Sequence, residues 1–400
     1  MFLWNGIKSI FIEKKGEIDS LNGLRALAIL SILFFHVTPS LEFAGWGQTI
    51  TATVFRTLDS GVSLFFVLSG YLISNGLKGE WNQNSKLNFK MFFVKRSLRI
   101  FPAYYFYLFI TYLVITAAMK KTGEISLNGQ IVDPAAAIKT AYQNFKYDLV
   151  YLSDYFRSYN IHAWSLSVEE KFYLIFPMFA GFFLFPMKEK SRFAFLVFLY
   201  ILPLIFRIYS TINNGPRIVA FHEFHFRYDD LLAGILVMEV LNKKELKEKL
   251  SKYKHFILSI AALMYLSNIY LLNSQYEIYK NTFSYNIFSI SFSLFLIVSL
   301  LDKNFYSSLL GNPILRPISR LSYTIYLWNQ LLIPIGFSSL AISLKTTGIV
   351  TNSQMMIAII LFFISTFIVC TILYILIEYP FLLWKSKLTK KNEEIPYLRN

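Results

Sequence analysis

The sequence is poor in charge and contains a single cysteine. Charged residues make up 16% of the 400 positions, whereas soluble domains carry about 25%. Hydrophobic residues reach 55%, so there is too little polar surface to cover a water-soluble globule. The lone cysteine, Cys370, excludes an internal disulfide and any zinc or iron–sulfur site built from several cysteines. The composition therefore predicts a membrane protein, and no metal site is expected.

Long apolar runs are present instead. A helix needs about 20 apolar residues to cross about 30 Å of hydrocarbon, and ten segments approach that length. They lie at 21–38, 59–77, 100–119, 172–187, 193–209, 228–242, 255–272, 283–301, 321–342 and 355–380. We therefore expect an all-α integral membrane protein with about ten transmembrane helices in one bundle. Pro39 should end the first run, which Asp19 or Ser20 can cap, and Pro102 should stand near the start of the third.

The net charge of +15 is spread unevenly over the segments between these runs. With the N-terminus inside, the cytoplasmic segments hold 26 lysines and arginines and the opposite side holds 10. This positive-inside bias predicts that both termini are cytoplasmic. It divides the chain into a cytoplasmic tail (1–20), a transmembrane domain (21–381) with a larger extracytoplasmic loop (120–171), and a basic cytoplasmic tail (382–400). The densest basic cluster, 243–254, lies between two runs, so we expect it to meet anionic lipid headgroups and not nucleic acid.

The first run contains two ionisable residues, Arg25 and His36, which are costly inside a membrane and therefore candidates for function. Eleven residues of helix come to about three full turns and about 16.5 Å, so both side chains share one face at different depths. Alone, Arg25 could be a snorkelling anchor and His36 a histidine hydrogen-bonded between helices. As a pair they offer a cation for a phosphate and, deeper in, a base that titrates near neutrality.

Further polar residues lie at the ends of other runs. Ser69-Gly70 interrupts one run. It either makes a small-residue contact between helices or places the Ser69 hydroxyl in the lining of a pore. Arg96 and Arg99 are one turn apart, and they either anchor the topology or clamp a phosphate on the same side as Arg25.

Two groups of carboxylates occur where runs begin on the outer side. Glu169 and Glu170 cannot both be solvated there, so at least one should face a protein cavity, where a carboxylate could orient an imidazole. At the head of the sixth run, Arg227 should form an ion pair with an aspartate, and Asp230 is preferred to Asp229 for that structural role.

Taken in order, these residues resemble acyltransferase family 3, a family of integral membrane enzymes that acylate bacterial cell-surface glycans. The similarity covers about 18–381 and is carried by an ordered set of segments. They are the Arg25-x10-His36 pair, FFVLSGYLI with Ser69 and Gly70, Arg96-x2-Arg99 with Pro102, WSLSVEEKFYLIFP with Ser167 and Glu169, RYDDLLAG with Arg227 and Asp229, LSYTIYLWN, and EYPF at Glu378–Phe381.

The resemblance implies ten spans, a catalytic histidine at His36 and a donor-binding arginine at Arg25. Some family members add a periplasmic hydrolase-like domain, which is not expected in a chain that ends at Asn400. Two positions depart from the family pattern. Asn329 stands where a histidine is common, and Lys171 stands where glutamine is common.

We therefore expect an O-acyltransferase of the bacterial cytoplasmic (inner) membrane. In this hypothesis His36 is the catalytic base, Glu169 supports it, and Arg25, Arg96 and Arg99 bind the acyl donor. The pore or acceptor site is expected to include Ser69, Ser167, Arg227 and Asp229. The expected partners are acyl-CoA (acetyl-CoA by preference) as co-substrate, a polysaccharide, O-antigen or related surface sugar as acceptor, and the lipid bilayer; no permanently bound cofactor is expected.

Two other functions remain open on the sequence. One is a polytopic glycan transporter or flippase, in which Arg25 and Arg99 bind a lipid-linked pyrophosphate. The other is a sensor or scaffold without catalysis. Direct acyl transfer and a covalent intermediate on His36 or Ser69 are equally compatible with the residues.

Overall fold

The computed structural model describes residues 2–13, 16–42, 45, 54–119, 125–127, 130–132, 134–156, 158–215, 221–273, 276–301, 304–347 and 350–394. Within them the chain is helical apart from one small hairpin. The helices are α1 (Phe2–Phe11), α2 (Asp19–Leu41), α3 (Gly61–Asn84), α4 (Phe89–Met119), α5 (Pro134–Leu149), α6 (Ala163–Phe179), α7 (Glu189–Asn214), α8 (Phe224–Leu241), α9 (Lys244–Lys252), α10 (Lys254–Leu272), α11 (Glu277–Asn281), α12 (Phe283–Leu300), α13 (Phe305–Leu310), α14 (Leu315–Thr347), α15 (Asn352–Leu373) and α16 (Tyr379–Glu394). A π-helical turn, Tyr374–Glu378, joins α15 to α16, and another, Ala180–Leu184, follows α6.

The hairpin lies in the predicted extracytoplasmic loop. Its strands β1 (Ile125–Leu127) and β2 (Gln130–Val132) are antiparallel, with Ile125 opposite Val132. Three residues a strand are too few to form an independent sheet, so the fold class remains all-α.

Seven helical segments of the described chain are long and apolar enough to cross a membrane. They are Asp19–Leu41, Leu58–Asn84, Phe89–Ala117, Glu189–Asn214, Lys254–Leu272, Phe283–Leu300 and Asn352–Leu388. The chain is therefore a multi-pass membrane protein. The count of ten and the sidedness of the termini stay predictions.

The three remaining predicted runs also form helices, namely α6, α8 and α14. The 17 residues of α6 are fewer than any of the seven segments contains, and charges make α8 less apolar. In α8 these are Arg227, Asp229, Asp230 and Glu239, and all four are buried. A charge inside a membrane protein is tolerable when it faces other protein groups and not lipid.

Two prolines lie inside helices that they were expected to bound. Helix α2 continues past Pro39 to Leu41, and α4 begins at Phe89, thirteen residues before Pro102. The predicted cap of α2 was also wrong, because the residue before the helix is Ile18 and no side chain caps it. These helices tolerate proline since packing by neighbouring helices compensates for the lost backbone hydrogen bond.

The chain divides into two compact units. The first comprises Met1–Lys86, Gly181–Phe221 and His225–Ile372, and the second comprises Leu87–Ala180, His222–Phe224 and Leu373–Asn400. In the first unit α2 packs against α3 and along α14, and α10 packs against α12. In the second unit α4 packs against α5 and α16.

Glycines bring α3 and α8 close together in the first unit. A Cβ on Gly70 would lie 1.9 Å from the carbonyl oxygen of Leu231, and a Cβ on Gly234 would lie 2.0 Å from that of Val67. No side chain fits at either place. The predicted small-residue contact at Gly70 is therefore confirmed, while its neighbour Ser69 is half-buried and its proposed pore-lining role stays a prediction.

Candidate active site

Helix α2 carries Arg25 and His36 without interruption. The helical spacing assumed from the sequence therefore applies, and the two residues lie on one face about 16.5 Å apart along the axis. Both side chains are half-buried. This unit thus presents a cation and an imidazole at two depths of a single helix.

Asn329 of α14 faces His36. The Asn329 side chain is fully buried, and its Nδ2 donates to the carbonyl oxygens of Ile325 and Tyr326 at 3.0 and 2.7 Å. These two bonds fix the orientation of the amide, because only the NH₂ group can donate to a carbonyl. The amide oxygen Oδ1 therefore points away from its own helix and hydrogen-bonds to Nδ1 of His36.

This contact determines which imidazole nitrogen carries the proton. An amide oxygen accepts only, so Nδ1 of His36 is the protonated donor and Nε2 holds the lone pair. Nε2 lies 3.3 Å from Nε2 of Gln330, the next residue along α14, and an amide NH₂ can donate to that lone pair. Asn329 and Gln330 together hold a neutral imidazole with Nε2 as its basic nitrogen.

Sequence reasoning found His36 but expected a carboxylate, Glu169, and not an amide to support it. Asn329 entered only as a departure from the family pattern, and Gln330 was not considered. The available signal was a pair of amides directly after Trp328, inside an otherwise apolar run. That His36 would be their partner could not be deduced, since 293 residues separate it from Asn329.

Polar contacts also join α2 and α14 near the start of α2, on the side of Arg25. Arg316 donates from Nη2 to Oδ1 of Asp19 at 3.0 Å, and the Ser319 hydroxyl donates to Oδ1 of Asn22 at 3.2 Å. Arg25 follows Asn22 by three residues. The helix that carries the candidate base is therefore fixed to α14 both near its start and near its end.

The charges of α8 are paired inside the first unit. Arg227 donates from Nη2 to Oδ2 of Asp230 at 2.9 Å and to the hydroxyl of Ser63 at 3.0 Å. The predicted ion pair between Arg227 and Asp230 is thus confirmed. Asp229 accepts from Nη2 of Arg207 at 2.7 Å, and both side chains are completely buried.

An aromatic ring lies between the two pairs. The guanidinium carbons of Arg207 and Arg227 lie 4.9 and 4.7 Å from the centre of the Tyr285 ring. Such cation–π contacts compensate in part for the lost hydration of both cations. Arg227 and Asp229 therefore belong to a buried cluster of paired charges, and a role in acceptor binding stays a prediction for them.

The remaining sequence-predicted residues lie in the second unit. Arg96 of α4 stacks on Tyr173 of α6, with its guanidinium carbon 4.7 Å from the ring centre, and Arg99 is half-buried one turn later. Glu169 is half-buried on α6, and Ser167 is fully buried, with its hydroxyl 2.9 Å from that of Ser153. The Nδ1 partner of His36 is the amide of Asn329, and the supporting role expected of Glu169 stays a prediction.

Lys171 holds the loop that precedes α6. Its Nζ donates to the carbonyl oxygen of Tyr151 at 2.7 Å and to Oδ1 of Asp154 at 2.6 Å. Burial raises the pKa of the Asp154 carboxyl, and the Lys171 ammonium partly offsets that effect. The lysine in place of a common glutamine thus has a structural partner in this chain.

A second buried carboxyl stabilises the same loop. Asp148 accepts at Oδ2 from the Ser158 hydroxyl at 2.6 Å and from Nδ2 of Asn160 at 2.7 Å, while its Oδ1 is buried without a hydrogen bond. Burial raises the pKa of Asp148 to about 6, and the two donors act in the opposite direction. This carboxyl therefore takes up a proton in a mildly acidic medium.

Comparison with curated proteins gives relatives from Staphylococcus aureus. A protein of strain COL that is provisionally named an O-acetyltransferase is 28% identical over 326 residues, which cover 79% of this chain and 51% of the relative. O-acetyltransferase OatA of strain NCTC 8325 is 26% identical over 321 residues, which cover 78% of this chain and 50% of the relative. The chain thus spans about half the length of these relatives. No solved structure matches it.

The same comparison identifies the family. The acyltransferase domain of the family Acyl_transf_3 matches residues 18–375, which contain both the Arg25–His36 helix and its partner α14. Because this match spans most of the chain, the protein belongs to acyltransferase family 3.

Proposed function

We propose that this protein is a membrane O-acyltransferase, which moves an acyl group from acyl-CoA to a hydroxyl of a cell-surface or lipid-linked glycan. The observation that carries the proposal is the orientation of His36, whose Nδ1 is bound to Asn329 so that Nε2 is the base. Family membership and the names of the S. aureus relatives support O-acetylation as the chemistry. Acetyl-CoA is therefore the preferred donor.

The donor would enter from the cytoplasm, where the positive-inside bias puts the start of α2. Arg25 would bind its phosphates, and Arg96 and Arg99 are further candidates for that role. The distance of about 16.5 Å from Arg25 to His36 is of the right order for a pantetheine arm that carries the thioester to the imidazole. One helix would thus set both the phosphate position and the position of the reacting carbon.

The transfer step needs one base and no further reactant. Nε2 of His36 takes the proton of the glycan hydroxyl, and the oxygen attacks the thioester carbonyl to form a C–O bond. The tetrahedral intermediate collapses with cleavage of the C–S bond, and the thiolate takes the proton back from the imidazolium. The products are the O-acyl ester and CoA thiol, and His36 returns to its neutral form.

Asn329 and Gln330 have different parts in this step. Asn329 keeps the proton on Nδ1 and stabilises the imidazolium that forms, as an acceptor to Nδ1–H does in other base–orienter pairs. When the glycan hydroxyl replaces the Gln330 NH₂ at Nε2, that NH₂ can donate instead to the carbonyl oxygen of the thioester as negative charge develops. Both roles follow from contacts of α14 with α2.

The proposal is tested in cells by NMR of the surface polysaccharide. Three strains are compared, which contain the wild-type protein, no protein, or the His36→Ala variant at an equal level. Loss of O-acyl signals from an intact polymer in the last two strains supports the proposal. A shortened or missing polymer selects glycan transport, and unchanged O-acyl signals in the His36→Ala strain contradict a catalytic His36.

A further inference from the structure

Helix α1 presents an apolar face to its surroundings. Its exposed large apolar side chains include four that turn to one side, within an arc of about 100° at 100° per residue. These are Leu3 (58% exposed), Trp4 (59%), Ile7 (37%) and Phe11 (56%). Gly6 and Ile10, which neighbour this arc, are the residues of α1 that the protein buries. A ten-residue helix that exposes this much apolar surface to water would not be stable there.

The helix is nevertheless attached to the protein. Arg316 and Arg320 of α14 donate to the carbonyl oxygens of Phe11 and Ser9, in each case at 3.2 Å. These carbonyls belong to the last turn of α1, where a helix lacks internal donors and favours cations. Arg320 also pairs with Glu17, in the connection between α1 and α2. Arg316 and Arg320 therefore hold α1 against α14, and we call these two residues the arginine latch.

The latch fixes α1 beside the end of a membrane span. Arg316, which donates to Phe11, also donates to Asp19, the first residue of α2. Helix α1 thus lies at the level where α2, a candidate membrane span, begins. Ile12 and Ile18 in the connection are also exposed, at 56% and 44%, so apolar surface extends from α1 to the start of the span.

The basic residues of this region complement a lipid surface. Nζ of Lys8 lies 5.3 Å from the centre of the Trp4 ring, at the edge of the apolar face. Lys14 and Lys15 follow in the sequence. A helix with tryptophan and aliphatic residues on one face and a lysine at its edge is typical of segments that lie in the plane of the interface, where the lysine attracts anionic lipids. The acidic residues of the region pair with the two arginines of α14; they are Glu13, Glu17 and Asp19.

We propose that α1 is an interfacial helix, which inserts its apolar face into the headgroup layer on the side of the membrane where α2 begins, with anionic phospholipid as its partner. The partner is the bilayer, because the apolar surface continues into a candidate membrane span and Lys8 lies at the edge of the face. The arginine latch holds the helix parallel to that surface and connects the lipid interface to α14. This inference is independent of the acyl-transfer proposal.

The test uses spin labels on the full chain in vesicles of phosphatidylethanolamine and phosphatidylglycerol. Cys370 is the single cysteine and is buried, so Cys370→Ala provides a background for single-cysteine variants. Nitroxides are attached at Leu3→Cys and, separately, at Ile7→Cys. The matched control is Gln83→Cys, at an exposed polar position in the last turn of α3. Power saturation then compares the access of oxygen, which enriches in lipid, with that of a water-soluble nickel chelate.

We expect the labels at positions 3 and 7 to be relaxed more strongly by oxygen than by the nickel chelate, and the control label to show the reverse. Replacing phosphatidylglycerol with phosphatidylcholine should weaken this preference. Equal access of the chelate to the α1 labels and to the control would overturn the proposal. Exclusion of both reagents together with dipolar broadening would also overturn it, because a second copy of the chain would then cover the face.

Discussion

Replacing Asn329 with leucine should slow acyl transfer while leaving donor binding intact. Leucine fills nearly the same volume but cannot accept a hydrogen bond, so His36 loses the acceptor for its Nδ1–H. The proton can then move to the other nitrogen, and the lone pair at Nε2 is no longer guaranteed. Arg25 is unaffected, since it lies about 16.5 Å away along α2.

The size of the effect follows from the lost contact. A buried donor left without its acceptor costs about 1–3 kcal/mol. At about 1.4 kcal/mol for each tenfold change in rate, this corresponds to a decrease in kcat of about 5- to 150-fold. The carbonyls of Ile325 and Tyr326 lose a second donor but lie within α14, so the helix itself should persist.

The assay is the release of CoA thiol from acetyl-CoA in proteoliposomes supplied with a glycan acceptor. The matched control is Ser291→Ala, which also removes a buried hydrogen bond, to the carbonyl oxygen of Ala261 at 2.8 Å, but one that joins α12 to α10. Both variants should lose some thermal stability. Only Asn329→Leu should lose kcat, and KM for acetyl-CoA should stay unchanged in both.

A substitution to aspartate tests the amide oxygen and the amide NH₂ of Asn329 separately. Asn329→Asp keeps an acceptor for Nδ1 of His36 but puts a second oxygen against the carbonyls of Ile325 and Tyr326. This variant should retain more activity than Asn329→Leu and be less stable. Wild-type kcat in a folded Asn329→Leu protein would refute the reasoning, because His36 would then need no orienting acceptor.

Three further predictions concern stability, measured by thermal unfolding in detergent. Gly70→Ala should destabilise the protein by about 1–3 kcal/mol, because its Cβ would meet backbone at 1.9 Å, whereas Gly76→Ala in the same helix has open space and should be neutral or stabilising. Arg207→Met should cost about 3–5 kcal/mol, since it leaves Asp229 charged and buried, and adding Asp229→Asn should recover part of that loss. Asp148 has a pKa raised from 3.8 to about 6, so its contribution to stability is present below pH 4 and is lost as pH rises through about 6; Asp148→Asn should flatten this dependence.

The apolar runs were a sound guide to the helices, because every one of the ten overlaps a helix of the structure. Their ends were less predictable. Pro39 and Pro102 are strong local signals for a boundary, but both stand inside helices, since packing in a bundle outweighs the cost of one lost backbone bond. Local propensity cannot report that packing.

The part of the candidate site that lies on a single helix could be predicted from the sequence. Arg25 and His36 are related by helical periodicity alone, and so their common face could be derived from spacing. The contact of His36 with Asn329 joins positions 293 residues apart and depends on how α2 and α14 pack. The pair Arg207–Asp229 was missed for the same reason, although Arg227–Asp230, three residues apart on one helix, was foreseen.

The most direct test of the account is the rate of acyl transfer by the purified protein after His36→Gln, measured beside its affinity for acetyl-CoA. Glutamine is close to histidine in size and remains polar, but it cannot act as a base. If His36 is the general base, kcat should decrease by about 10²- to 10⁴-fold, the usual contribution of such a base, with acetyl-CoA affinity unchanged. A His36→Gln protein that transfers acyl groups at the wild-type rate would contradict the account.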